Sequence, residues 1–266
     1  MRIHITGSTG AIGSYLTPRL AAQHDVIASA RRPEALEAYR DLEQVSTRHL
    51  DVSDMEQCRE VLRDVDVLIH LAVAPIHSSW EDTLEANLIG MYNVVESARA
   101  NGIPRIIFTS SVHAVEGYPQ DKQVEVTDLP HPPNLYGVSK VYGEALLSYY
   151  AHQHGVEAIV IRVAAFNGFA AEDGQVEVDP RLLAFYLHPD DLGSMIDHCL
   201  DLEMEEPYLL LHGISDNQFK RLSTYETVRR LPGYQPQYDA FEALGIELEK
   251  WIPVEEIPDD FPLTES

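Results

Sequence analysis

Two hydrophobic periods alternate along the chain. Short runs rich in apolar and β-branched residues recur as RIHIT at 2–6, VIASA at 26–30, RHLDV at 48–52, VDVLIHLA at 65–72, RIIFTSS at 105–111 and EAIVIRV at 157–163. Between them the apolar positions fall three and four apart, as in SYLTPRLAAQ at 14–23 and the stretches near 82–101 and 136–153. The first pattern predicts buried strands and the second amphipathic helices. Strands of this kind alternating with helices predict a parallel sheet covered on both faces, because right-handed crossovers place helices on each side. The expected fold class is therefore α/β, with a doubly wound parallel sheet.

Past residue 165 the alternation loosens into AAFNGFAAEDGQVEVDP, which ends at Pro180. A helix near 189–202, a strand YLLLHG at 208–213 and a helix opened by Ser223 follow, with Glu226 three residues on in the spacing of a capping box. The end of the chain, rich in Pro, Asp and Glu from Pro253, reads as a surface tail. With 266 residues, 45% of them hydrophobic, the chain is long enough for one sizeable core. The pattern predicts one structural unit, a core over 1–165 interleaved with a smaller portion and tail over 166–266.

Charge narrows the partners. The chain carries 43 acidic against 19 basic residues, a formal net charge of −24, and a phosphate backbone is repelled by such a surface, so no nucleic-acid partner is expected. Only Lys122, Lys140, Lys220 and Lys250 are lysines, a composition that resembles proteins adapted to high intracellular salt; an ordinary acidic cytoplasmic protein remains the other reading. Cys58 and Cys199 lie far apart in helical contexts, which predicts neither a disulfide framework nor a metal set and suits a reducing compartment. The twelve histidines are scattered without ligand spacing, so no metal is expected. No charged and apolar leader precedes MRIHITG, and the apolar stretches are interrupted before they span a bilayer; a cytoplasmic protein without a membrane partner is expected.

The first candidate chemistry is TGSTGAIG, which places Gly7, Gly10 and Gly13 directly after the first strand and at the start of a helix. Glycines there permit a tight turn and close approach of backbone to a pyrophosphate seated at the helix N-terminus. The sheet is thus expected to be of the Rossmann type, with 1–165 as the dinucleotide-binding core. An acidic residue at the end of the second strand normally holds the ribose of NAD, but here that strand ends Ser29, Ala30, Arg31, Arg32. Two guanidinium groups beside a hydroxyl suit a phosphate monoester, so NADP is the preferred cofactor and NAD the alternative. Asp51 and Val52, after the third strand, are expected to bracket the adenine.

The second is a Ser, Tyr and Lys group. Tyr136 and Lys140 are four residues apart on one helical face. A phenol titrates near pH ~10 and needs a neighbouring cation to act as a base, which Lys140 supplies. Ser111 closes the strand RIIFTSS at the carboxyl edge of the sheet, where ligands of α/β proteins bind, and is placed to hydrogen-bond the reacting oxygen.

TGSTGAIG, Asp51, the HLA at 70–72, Asn87 within EANLIG, SS at 110–111 and YGVSK together resemble the extended short-chain dehydrogenase/reductase family, also called the NAD-dependent epimerase/dehydratase family. SSVHAVEGYPQ, LPHPPNLYGVSK, HPDDLGSMID and HGISDN resemble the uronate dehydrogenases and haloarchaeal sugar-phosphate dehydrogenases, which oxidise a pyranose at its anomeric carbon. The resemblance implies that Tyr136 is the base, Ser111 its hydrogen-bond partner, Lys140 the anchor of the nicotinamide ribose and Asn87 part of a proton relay. It implies cofactor contacts from Gly7, Thr9, Gly10, Ala11, Ile12, Gly13, Leu71, Ala72, Val73, Tyr136 and Lys140. On the substrate it implies Ser111, Val112, His113 and Arg181, the last gripping a carboxylate or phosphate. Val112, Pro75 and Ala165 depart from the uronate dehydrogenases, which carry asparagine and serines there, so a different sugar is in play. The helices near 82–101 and 136–153 are expected to pair across a homodimer axis. The function expected is an NAD(P)-dependent oxidoreductase acting on a sugar, uronic acid or sugar phosphate, with the portion 166–266 contributing to the substrate site. A sugar epimerase with retained cofactor and a non-catalytic NADP-sensing protein are the alternatives.

Overall fold

The fold was obtained as a computed structural model, which describes residues 1–166 and 183–245. Seven parallel strands form the sheet: β1 (Arg2–Thr6), β2 (Asp25–Ala30), β3 (Val45–His49), β4 (Val67–His70), β5 (Arg105–Ser111), β6 (Glu157–Val163) and, after a short pair β7 (Ala165–Phe166) and β8 (Tyr186–Leu187), β9 (Tyr208–Gly213). Their order is β3-β2-β1-β4-β5-β6-β9, so the direction of winding reverses between β1 and β4. This is the doubly wound, Rossmann-like α/β fold. Because β9 pairs with β6, the later part of the chain completes the sheet begun by the earlier part.

Helices cover both faces: α1 (Ala11–Ala21), α2 (Met55–Val61), α3 (Trp80–Thr83), α4 (Gly90–Ala100), α5 (Leu135–His154), α6 (Pro189–Asp201), α7 (Tyr225–Arg230) and α8 (Ala240–Ala243). Strand residues alternate between two clusters. Ile3, Ile5, Ile107, Ile159 and Ile161 pack with α1 and α6, while Ile27, Leu68, Ile106, Ala158 and Val160 pack with α4 and α5. Fully burying such side chains contributes about 1.5–3 kcal/mol each.

Some elements differ from expectation. The third strand runs over Val45–His49 rather than 48–52, because it is an edge strand in which Val45 packs inward and Ser46 and Thr47 face solvent. Leu50 and Val52, which suggested the later register, bury themselves in the loop beyond it. The fourth strand ends at His70, and Leu71–Ala74 leaves the sheet to form a wall of the central cleft. No capping box forms at Ser223. That residue is buried, its carbonyl meets the His212 ring, its hydroxyl accepts only from the Tyr225 N–H, at 3.4 Å, where α7 starts, and Glu226 pairs with Arg229 instead of reaching back. Among the described residues no helix is long and apolar enough to cross a membrane, and no group of His, Cys, Asp and Glu is arranged to hold a metal.

Candidate active site

A cleft of about 360 Å³ opens at the carboxyl ends of β1, β2 and β4, at the point where the winding reverses. Gly7, Thr9, Gly10, Arg31, Arg32, Asp51, Val52, Leu71, Ala72 and Val73 line it. Ala11, Ile12 and Gly13 do not line it but form the first turn of α1. The first bond of that helix runs from the Ser14 N–H to the Gly10 carbonyl, so the preceding amides are open at its N-terminus. No acidic side chain occupies the first turn and Gly10 offers no side-chain cap. The helix end is therefore free to receive an anion.

Two glycines shape this cradle. Gly7 adopts φ +66°, and a Cβ on it would come within 2.6 Å of the Ala72 amide nitrogen; a Cβ on Gly13 would lie 2.4 Å from the Ser8 carbonyl oxygen. Side chains at either position would push the loop off the wall of the cleft. The same wall is tied down by Thr6, whose hydroxyl bonds to His70 Nδ1 at 2.7 Å and accepts from the Leu71 and Ala72 N–H groups at 3.3 and 3.4 Å. Burial pushes the His70 imidazole down to about 3, so a neutral ring stands behind the site. The open helix amides and the glycine cradle fit a dinucleotide pyrophosphate.

At the far end of the cleft Arg31 and Arg32 are both exposed, and neither guanidinium takes a hydrogen-bond or ion-pair partner among the described residues. Ser29 departs from expectation: its hydroxyl faces inward, bonding to His4 Nε2 at 2.9 Å and donating to the Ile5 carbonyl at 3.3 Å. The two arginines are thus the cationic side chains that line this end of the cleft. Asp51 uses one carboxylate oxygen to accept from the Ser53 N–H (2.9 Å) and hydroxyl (2.8 Å), shaping the turn that carries Val52. Asn93 on α4 donates to the Val52 and Ser53 carbonyls at 3.0 and 2.9 Å, a support that sequence reading missed.

Ser111, Tyr136 and Lys140 come together on β5 and α5, outside the residues that line the cleft but joined to its wall through Asn87. Ser111 ends β5 and accepts from the His113 N–H at 3.2 Å. Asn134 caps α5 by accepting from the Gly137 N–H at 2.8 Å, which fixes the first turn that carries Tyr136. That turn approaches the strand end so closely that a Cβ on Gly137 would lie 2.2 Å from the His113 carbonyl oxygen. Neither the cap nor this glycine had been singled out from the sequence. Lys140 is buried, donates to the Thr109 carbonyl at 2.8 Å, and stands 5.5 Å from the centroid of the Tyr136 ring. Burial pulls its ammonium down to about 7, opposed by Glu144. Burial raises the Tyr136 phenol, against a hydrogen bond with Ser111 that lowers it, so a neighbouring cation is needed for phenolate to form.

Asn87 lies in a π-helical turn, Leu84–Ile89, of the kind often found at functional sites. Its side chain accepts from the Ala74 N–H at 2.7 Å and donates to the Ser139 hydroxyl at 3.0 Å, linking the cleft wall to α5. On the substrate side Val112 is buried, Pro75 lines the cleft and Ala165 is half-buried. His113 packs edge-on to the Tyr136 ring at 5.6 Å between centroids, with Nδ1 2.5 Å from Glu116 Oε2. Arg181 lies outside the described residues.

Comparison with known proteins agrees with this geometry. The chain is 32% identical over 253 residues to an L-arabinose 1-dehydrogenase (NAD(P)(+)) of Haloferax volcanii, covering 89% of this chain and 96% of that protein. It is 28% identical over 252 residues to an NAD-dependent glucose-6-phosphate dehydrogenase of the same organism, covering 90% and 94%. Among solved structures, glucuronic acid dehydrogenase from Chromohalobacter salexigens superposes with a TM-score of 0.83 at 28% identity, over 97% of this chain and 92% of that one. Residues 3–185 match the NAD dependent epimerase/dehydratase family, and the chain belongs to that family.

Proposed function

We propose that the protein is an NAD(P)-dependent dehydrogenase that oxidises a monosaccharide, uronic acid or sugar phosphate at its anomeric carbon. The observation that carries this reading is the meeting of Ser111, Tyr136 and Lys140 next to a cleft built for a dinucleotide. The similar proteins point the same way, since the three described above are sugar or uronate dehydrogenases by name over about nine-tenths of their length. They favour this reading over the epimerase.

The amides of Ala11, Ile12 and Gly13 hold the pyrophosphate, Asp51 and Val52 flank the adenine, and Leu71, Ala72 and Val73 support the cofactor along the opposite wall. Arg31 and Arg32 favour NADP over NAD. A bound oxidised nicotinamide would supply the hydride acceptor. Tyr136, as phenolate, takes the proton of the anomeric hydroxyl, while Ser111 donates a hydrogen bond to that oxygen. Lys140 supplies the positive charge that makes phenolate accessible and anchors the nicotinamide ribose. The relay role of Asn87 is supported by its bond to Ser139, on the helix that carries both Tyr136 and Lys140. Val112, Pro75 and Ala165 offer a sugar no side-chain hydrogen bond, so His113 and Arg181, within a substrate site shared by 166–266, set its polar contacts.

The apolar side chains of Ile89, Tyr92, Leu135, Val138 and Tyr149 stand exposed on α5 and at or just before the start of α4, supporting a homodimer built on those helices. The free, buried Cys58 and Cys199 suit a reducing cytoplasm. The test is reduction of NADP and NAD by the purified protein, in low and high salt, against aldoses, uronic acids and sugar phosphates. Turnover that vanishes in Tyr136→Phe, with a raised KM for an anionic sugar in Arg181→Ala, is the expected result. No turnover with any sugar, while the cofactor still binds, overturns the proposal.

A further inference from the structure

We propose that Glu144 is a positioning residue of this site: it ties the ends of β5 and β6 to α5 and holds a negative charge one helical turn behind Lys140. The proposal rests on Tyr136 and Lys140 acting as assigned above. It starts from spacing, since positions 136, 140 and 144 fall on one face of α5, the face turned to the sheet. Ser110 and Arg162 are register partners on β5 and β6, so their side chains leave the sheet on the same side and converge on that face.

They meet at Glu144. Its Oε1 accepts from the Ser110 hydroxyl at 2.5 Å and from Arg162 Nε at 2.9 Å, and its Oε2 accepts from Arg162 Nη2 at 2.8 Å. Both members of the ion pair are almost fully enclosed, with side-chain exposures of 2% for Arg162 and 6% for Glu144. A buried pair of this kind gives little net stability over apolar packing of the same volume. Its place is informative instead. Ser110 immediately precedes Ser111, so the carboxylate fixes the strand end that presents the serine against the helix that presents the tyrosine.

The charge also reaches Lys140. The groups facing the ammonium are the Tyr136 phenol on its own helix, the Thr109 carbonyl and the Phe108 ring of β5, the His70 ring of β4 and Glu144. The His70 ring is held neutral by burial, so Glu144 is the counter-charge that opposes the desolvation of Lys140. Around Glu144 itself stand Arg162 of β6 and Tyr208 of β9, whose phenol is raised by burial and then by this carboxylate, while His212 of β9, pushed down to about 4 by burial and then by Arg162, is the register partner of that arginine. Of these, Arg162 alone is charged at neutral pH, and one of its nitrogens, Nη1, is buried without a partner. Loss of the carboxylate leaves Lys140 with desolvation unopposed, so less ammonium is present to favour the Tyr136 phenolate.

The experiment compares wild type with Glu144→Gln and with the double variant Glu144→Gln, Arg162→Gln, which removes both charges and avoids an orphaned buried guanidinium should the single variant fold poorly. The chain has four lysines, so ¹³Cε labelling gives a simple spectrum in which Lys140 is identified by its loss in Lys140→Arg. The expected result in Glu144→Gln is a Lys140 titration about one pH unit or more below that of wild type, and in the double variant a smaller displacement in the same direction, because loss of the Arg162 charge offsets part of the effect. The acid limb of kcat/KM for sugar oxidation moves to higher pH in step. A Lys140 titration and a pH profile that stay in place in the folded double variant overturn the proposal and leave Glu144 a structural clamp. A displaced Lys140 titration with an unmoved pH profile upholds the placement of Glu144 and overturns the catalytic reading of Tyr136 and Lys140.

Discussion

Replacing both Arg31 and Arg32 with alanine is expected to remove most of the preference for NADP while leaving turnover with NAD in place. Each guanidinium lines the far end of the cleft, is exposed, and is unengaged by the protein, so each is free for a 2′-phosphate at no cost in broken ion pairs. A hydrogen bond to a charged group contributes about 1.5–3 kcal/mol, and exposure to solvent argues for the lower end. Two such contacts give about 3 kcal/mol, roughly a hundredfold change in the ratio of kcat/KM for NADP to that for NAD. The net charge of −24 opposes the extra phosphate, but it does so nearly equally before and after the substitution and largely cancels in that comparison. Steady-state kinetics with each cofactor at fixed ionic strength gives the ratio directly. The single variants should each show about a tenfold change, and the preference of wild type should shrink as salt shortens the Debye length from about 8 Å at 0.15 M. An equal loss with both cofactors, or no change with either, refutes the reasoning.

Three further outcomes follow from the geometry. Gly137→Ala places a Cβ 2.2 Å from the His113 carbonyl oxygen and 3.0 Å from Pro132 Cβ, so the start of α5 must move; kcat is expected to fall about 10²-fold at a modest cost in melting temperature, and normal kinetics would refute the close approach. His4, His70 and His212 are buried with values lowered from 6.5 to about 3, 3 and 4, so the unfolded chain binds protons that the folded chain refuses. Their contribution is complete above pH 6.5 and declines below it at about 1.4 kcal/mol per pH unit each, or about 6 kcal/mol in all by pH 5; urea unfolding at pH 7 and pH 5 measures this, and equal midpoints would contradict it. With 43 acidic and 19 basic residues, self-repulsion should make the melting temperature rise with added potassium chloride, whereas a flat response would remove the case for salt adaptation.

The strands that the hydrophobic pattern located residue for residue are β1, β5, β6 and β9. The first three lie inside the sheet, where both faces are buried and a continuous apolar run has one meaning, and β9, although at an edge, buries Leu209, Leu211, His212 and Gly213. The edge strand β3 was misplaced because its outward residues, Ser46 and Thr47, carry no apolar signal and the nearby Leu50 and Val52 pack from a loop. The same logic separates helix starts. Asn134 caps α5 and Asp54 caps α2 through their own side chains, whereas the buried Ser223 hydroxyl reaches only the Tyr225 N–H, at 3.4 Å, and gets no return bond from Glu226.

The site divides along the same line. Gly7, Gly10, Gly13, Arg31, Arg32, Tyr136 and Lys140 stand out as candidates in contiguous stretches, where spacing alone puts them on a loop or a helix face. Asn93, Gly137 and Arg162 act across the fold: Asn93 reaches Val52 41 positions back, Gly137 accommodates the His113 carbonyl, and Arg162 meets a carboxylate on the preceding helix. No window of sequence contains both partners of these contacts. The inward turn of Ser29 onto His4 belongs here too, since it depends on the β1–β2 register and it converts an expected phosphate ligand into a buried strand contact. Once register is known, however, part of this becomes predictable by rule. Ser110 and Arg162 sit opposite each other on β5 and β6, and Glu144 lies two helical turns beyond Tyr136 on the helix that crosses them. Strand pairing and the 3.6-residue period together bring three polar side chains to one point one helical turn from Lys140, although each of them read alone looks like an ordinary residue of its element.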